Sequence, residues 1–117
     1  MRFETITFET KDRVGTLTMN RPDEANALNA QMAKELFEIS VLCSRDKNLG
    51  ALIVTANGKM FNAGGDLQEF DNPPGGRQDE HLSRVASYLH NAIIRFQYMD
   101  APVIMAINGT AAGGGFS

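Results

Sequence analysis

The feature that most constrains this fold is the run Val103-Ile104-Met105-Ala106-Ile107, closed by Asn108-Gly109 and followed by Gly113-Gly114-Gly115. An uninterrupted apolar run bounded by Asn-Gly reads as a buried strand that stops. Three successive glycines allow backbone angles and close approaches that a Cβ would block, so the chain can present bare N–H groups there. Such a turn ordinarily opens a helix, whose first N–H groups lack internal partners and whose dipole adds partial positive charge. Its natural guest is a developing oxyanion. The chain stops at Ser117, before that helix. It is therefore expected to be part of a longer protein, or to be completed by another chain, because unpaired N–H groups at a buried strand end are costly.

A second stretch makes the same offer. Ala51-Leu52-Ile53-Val54-Thr55 has no polar alternation and is expected to be a strand buried on both faces. After an Asn57-Gly58 turn comes Phe61-Asn62-Ala63-Gly64-Gly65-Asp66-Leu67, again small residues and glycines. Two glycine turns, each after a parallel strand, can place one N–H apiece on a single carbonyl oxygen.

The rest of the chain supplies a scaffold. Ile6 and Phe8 alternate with Thr5, Thr7 and Glu9, and Val14, Leu17 and Met19 follow a Lys11-Asp12-Arg13 turn, which predicts a hairpin. Asn20 to Asn29 is a loop carrying Pro22, and Asn29 can cap a helix from Ala30 to about Arg45. Met32, Leu36, Ile39 and Leu42 or Cys43 form its apolar stripe. Asp71 to Gln78, with two prolines and two glycines, reads as a mobile surface loop. Glu80 to Tyr98 returns to helical spacing, with Leu82, Val85 or Ala86, Leu89, Ala92 or Ile93 and Phe96 on one face. The order strand, helix, strand implies parallel crossovers and an α/β fold with helices packed on a mostly parallel sheet.

Bulk properties remove several function classes. The 117 residues suit one domain or a piece of one. A formal net charge of −3 without a basic run gives no footprint for nucleic acid. No apolar run approaches the ~18 residues of a membrane span. The start, Met1-Arg2-Phe3-Glu4-Thr5-Ile6, lacks a signal peptide's apolar segment and is acidic where a transit peptide would be Arg-rich, so a cytoplasmic location is expected. Cys43 is alone, which forbids an internal disulfide and reads as a core thiol on the first helix. Cysteine and histidine spacing offers no zinc site. The glycine turns match neither G-x-x-x-x-G-K-[ST] nor a G-x-G-x-x-G that opens a first βα unit, so nucleotide hydrolysis and NAD binding are not expected.

The two turns also carry a family resemblance. Phe61-x-Ala63-Gly64-Gly65-Asp66-Leu67, then Ala101-Pro102-Val103-Ile104 and Asn108-Gly109-x-Ala111-x-Gly113-Gly114-Gly115, resemble the crotonase, or enoyl-CoA hydratase/isomerase, superfamily. Val14 to Pro22 with Asn26-Ala27-Leu28-Asn29 is similar to its opening strand and CoA-contacting loop. The resemblance implies that residues 1–117 are the N-terminal part of a crotonase-like domain, a ββα spiral incomplete in this chain. It implies backbone N–H groups of Gly65 and Gly114 as donors to a thioester enolate oxygen. Ala63, Gly64, Asp66, Leu67 and Gln68 match the turn along which the family lays CoA, while Arg21, Glu24, Ala25 and Ala27 match the neighbouring loop. The implied partner is an acyl-CoA thioester, with coenzyme A as part of the substrate and no separate cofactor or metal. The implied assembly is a homo-oligomer, a trimer or a dimer of trimers.

Four side chains bear on that expectation. Ser117 stands where hydratase-like members carry a glutamate, and a serine hydroxyl has no useful pKa near neutrality without an adjacent base. The departure favours an isomerase, or a member whose acid or base lies later, over simple hydration. As a nucleophile Ser117 lacks a G-x-S-x-G elbow. His90 lies near the point where members resembling aryl-CoA dehalogenases carry a catalytic histidine; otherwise it is a helix-surface or packing residue. Asp66 is expected to cap a short helix through Gln68 and Glu69, and His81 is expected to be solvated. The alternative to an enzyme is a non-catalytic acyl-CoA-binding or assembly module.

Overall fold

The computed structural model describes residues 2–73 and 75–113. The hairpin is formed by β1 (Ile6–Lys11) and β2 (Val14–Met19), antiparallel, with Lys11 opposite Val14. Its two turn residues have φ of 52° at Asp12 and 67° at Arg13. That pair of left-handed angles matches the twist of the flanking strands. Helix α1 (Ala30–Arg45) begins where Asn29 Oδ1 accepts the Met32 N–H at 2.8 Å, the expected cap. It leads into β3 (Ala51–Ala56), parallel to β2.

After β3 come β4 (Met60–Asn62), the short α2 (Leu67–Asp71), the long α3 (Gln78–Tyr98), β5 (Val103–Met105) and β6 (Thr110–Ala111). The main sheet runs β1-β2-β3-β5, and β4 and β6 form a separate parallel pair. Inward residues Ile6, Leu17, Met19, Leu52 and Val54 meet Met32, Leu36 and Ile39 of α1 and Ala92 of α3. Leu17, Met32 and Leu52 are fully buried, so truncating any one to alanine is worth about 2–5 kcal/mol. Cys43 sits in this core as expected, and burial, helped by Asp46, pushes its thiol up to about 11.

Several expectations are corrected. Burial alternates along β3: Leu52, Val54 and Ala56 are buried while Ala51, Ile53 and Thr55 are half-buried, so one face carries the core. The run from Val103 to Ile107 is a strand only to Met105, and Ile104, Met105 and Ile107 are 52%, 52% and 60% exposed. Among the described residues β5 lies at the edge of the sheet, paired on one side to β3. The second helix begins at Gln78 rather than Glu80, with Asp79 and Glu80 in its first turn, where the helix dipole favours acids. Asp71 and Gln78 belong to helices, so the connecting loop is shorter than expected. On α3, Ala92 is the buried residue of the apolar stripe and Leu82 is 54% exposed.

Candidate functional site

The first glycine turn leaves β4 at Asn62, which is 1% exposed. Its Oδ1 accepts the Gly64 N–H at 2.8 Å. Gly64 has φ +94°, an angle L side chains rarely adopt, which is why a glycine stands there. The turn is sewn to the loop between β2 and α1. Ala63 N–H donates to Ala25 O at 3.1 Å, Leu28 N–H to Gly64 O at 2.7 Å, and Asp66 N–H to Leu28 O at 2.9 Å. Among the described residues, the Gly65 N–H alone in this turn has no acceptor. Gly65 is exposed, and a Cβ built on it would meet nothing within 4 Å. An exposed position thus carries a main-chain donor with no acceptor among the described residues.

Asp66 does what its position predicts. Its Oδ1 accepts the Glu69 N–H at 3.1 Å and caps α2, while Oδ2 pairs with Arg21 Nη2 at 3.2 Å. Arg21 also donates through Nη1 to Ala27 O at 2.6 Å, so its guanidinium braces the loop from within. Of the other residues matched by resemblance, Ala25 and Ala27 are half-buried, and Glu24, Leu67 and Gln68 are exposed.

The second turn is brought to the first by strand pairing. Met60 faces Thr110 and Asn62 faces Ala111, and Ala112 N–H donates to Asn62 O at 2.9 Å. A Cβ on Gly113 would lie 3.6 Å from Gly64 Cα, so the two glycine turns touch. Gly114 and Ser117 lie outside the described residues. A mostly apolar cavity of about 540 Å³ adjoins the start of the first turn, with Phe61, Asn62, Leu89, Ile93 and Val103 in its walls.

Of the two histidines, His81 departs from the solvated position expected for it, whereas His90 is on the helix surface. His81 is 4% exposed, with Nε2 3.5 Å from Glu69 Oε1. It lies in the first turns of α3, and α2 carries Glu69 to meet it. Glu69 in turn accepts the Ala30 N–H at 3.2 Å, at the start of α1. His90 is exposed, one residue from cavity-lining Leu89. Sequence reasoning passed over Asn26 and Asn62 as functional positions. Asn26, fully buried, accepts the Arg21 N–H and donates to the carbonyls of Asn57 and Met60. Asparagine just before a small-Gly-Gly turn was the available signal, since its side chain readily bonds the backbone two residues on.

The model of the enoyl-CoA hydratase/isomerase family matches residues 9–117. The chain belongs to that family. It is 36% identical over 110 residues to 4-chlorobenzoyl coenzyme A dehalogenase-2 of Arthrobacter, covering 94% of this chain and 40% of that protein. It is 30% identical to the trans-2-decenoyl-[acyl-carrier-protein] isomerase of Streptococcus mutans, covering 97% of this chain and 43% of that one. An enoyl-CoA hydratase structure from Bacillus anthracis superposes with a TM-score of 0.84 at 31% identity, over 96% of this chain and 43% of that one. This family member thus has the crotonase fold over the part it covers, and spans about two-fifths of the length of its curated relatives. Among the described residues, no helix is long and apolar enough to cross a membrane.

Proposed function

We propose that the protein processes acyl-CoA thioesters by stabilising an enolate in an oxyanion hole built from the N–H groups of Gly65 and Gly114. The observation that carries this reading is the Gly65 N–H, without an acceptor among the described residues, in a turn that β4–β6 pairing holds against the second glycine turn. Loss of a proton next to the thioester puts charge on the carbonyl oxygen, and fixed donors stabilise it without reorganising. Arg21, Glu24, Ala25, Ala27, Ala63, Gly64, Asp66, Leu67 and Gln68 line the CoA path in this reading, with Arg21 and Asp66 shaping it through their mutual bond. Ser117 in place of the first glutamate favours double-bond isomerisation over simple hydration. A cytoplasmic trimer or dimer of trimers completes the proposal.

The test uses the full-length protein and CoA thioesters. Gly114→Pro removes one donor and is expected to cost about 10²–10³ in turnover. Undetectable thioester binding, or unchanged turnover in that variant, would sink the reading. Binding with no double-bond shift or hydration would favour the non-catalytic module.

One observation supports a second reaction within the family: His90 stands exposed on α3 beside the cavity wall, and 4-chlorobenzoyl-CoA dehalogenases are among the relatives. In that reading His90 handles a proton for an aryl-CoA substrate. Chloride release from 4-chlorobenzoyl-CoA, abolished in His90→Gln, would select it.

A further inference from the structure

We infer that Asn62 is a positioning residue that decides which N–H of the first glycine turn faces the thioester, an inference that rests on the oxyanion reading above. Asn62 occupies the unspecified position between Phe61 and Ala63 in the turn. It is buried, and three of its polar atoms reach three different segments. Oδ1 accepts from Gly64 N–H at 2.8 Å, Nδ2 donates to Asn26 O at 2.5 Å, and its main-chain oxygen accepts from Ala112 N–H at 2.9 Å. One residue therefore touches both glycine turns and the loop beside them.

The side-chain bond spans two residues, the geometry of an Asx-turn. Its consequence is selective. Gly64 is buried, so its N–H needs a partner, and Asn62 supplies one from its own side chain. With Ala63 and Asp66 bonded to the neighbouring loop, Gly65 is, among the described residues, the donor of this turn left to a ligand. Without the Asn62 acceptor, the Gly64 N–H would be unsatisfied and the turn would rotate to find a partner, swinging the Gly65 N–H away from its line. The same residue's carbonyl fixes the distance to the second turn.

The experiment compares wild type, Asn62→Ser and Asn62→Ala in the full-length protein. Serine can accept from the N–H two residues on, though more weakly, and alanine cannot. The readouts are the infrared carbonyl band of a bound, ¹³C-labelled CoA thioester, kcat and KM. Wild type is expected to move the band to lower frequency, and Asn62→Ser to keep most of that shift. Asn62→Ala is expected to lose most of it and about 10- to 100-fold in kcat, with KM changed less than about threefold, because a misplaced donor acts on the transition state rather than on binding. Ile39→Ala, in the α1 core away from both turns, controls for lost stability and is expected to leave the band where it is. If Asn62→Ala does not fold, Asn62→Val restores volume without an acceptor and takes its place. No shift in wild type overturns the oxyanion reading itself; a full shift in wild type and in the folded non-accepting variant overturns the role of Asn62 alone.

Discussion

Gly109 runs so close to Lys59 that a Cβ on it would overlap the Lys59 carbonyl oxygen. The two backbones meet where β4 and β6 begin their pairing, and Asn108 Nδ2 adds a bond to Gly58 O at 2.8 Å. Gly109→Ala must push β6 away from β4. We expect the N–H of Ala112, bonded to Asn62 O, to lose its protection from hydrogen exchange, with a stability loss of about 1–3 kcal/mol. Unchanged protection in the variant would mean that the second turn does not depend on this contact.

Glu35 lies on α1, yet it is 2% exposed and binds the start of the chain. Its carboxylate accepts the Thr5 hydroxyl at 2.6 Å, the Thr5 N–H at 2.8 Å, the Glu4 N–H at 2.9 Å and the Gln31 amide at 2.8 Å. Burial pushes this carboxyl up, but the four bonds outweigh burial and hold its pKa below the ordinary value of 4.5. A depressed pKa contributes stability that is fully present above the unfolded value and is lost as pH falls through the folded one. Glu35→Gln should therefore cost about 1–3 kcal/mol near neutral pH. The gap in urea midpoint between variant and wild type should shrink well below pH 4.5. A gap that stays constant into acid would contradict this assignment.

Asp66 combines a cap with an ion pair to Arg21, and the two can be separated. Asparagine caps about as well as aspartate, so Asp66→Asn should lose the pair alone, within about 1 kcal/mol. Asp66→Ala should lose both, about 1–2 kcal/mol, with α2 loosened. Equal midpoints for the two variants would show that the cap contributes nothing measurable.

Cys43, with its thiol pushed up to about 11 by burial, should resist thiol reagents at pH 8 in the folded protein. Labelling should follow the rate of opening and complete within seconds in strong denaturant. Stoichiometric labelling of the folded protein on that same timescale would show that the inner face of α1 is open.

Elements that rest on near neighbours were legible in the sequence. The hairpin needs only two alternating runs around Asp12-Arg13, and α1 needs only its stripe and the Asn29 cap. The two glycine turns declare themselves by composition, and Asp66 caps the helix that follows it. Burial on β3 and β5 was harder, because an apolar run reads alike at the centre of a sheet and at its edge. Among the described residues the strand order puts β5 at the edge and leaves Ile104 and Met105 exposed.

The residues alone determined the hairpin, α1, the body of α3 and the two glycine turns, since each of these depends on local spacing, and the motifs in those turns carried the family resemblance. Tertiary structure alone decided that Glu35 binds Thr5, that His81 turns inward to Glu69, and that Asn62 joins the two glycine turns. Those partners come from separate elements, and a polar side chain is satisfied by whichever group the packed chain brings within hydrogen-bond reach.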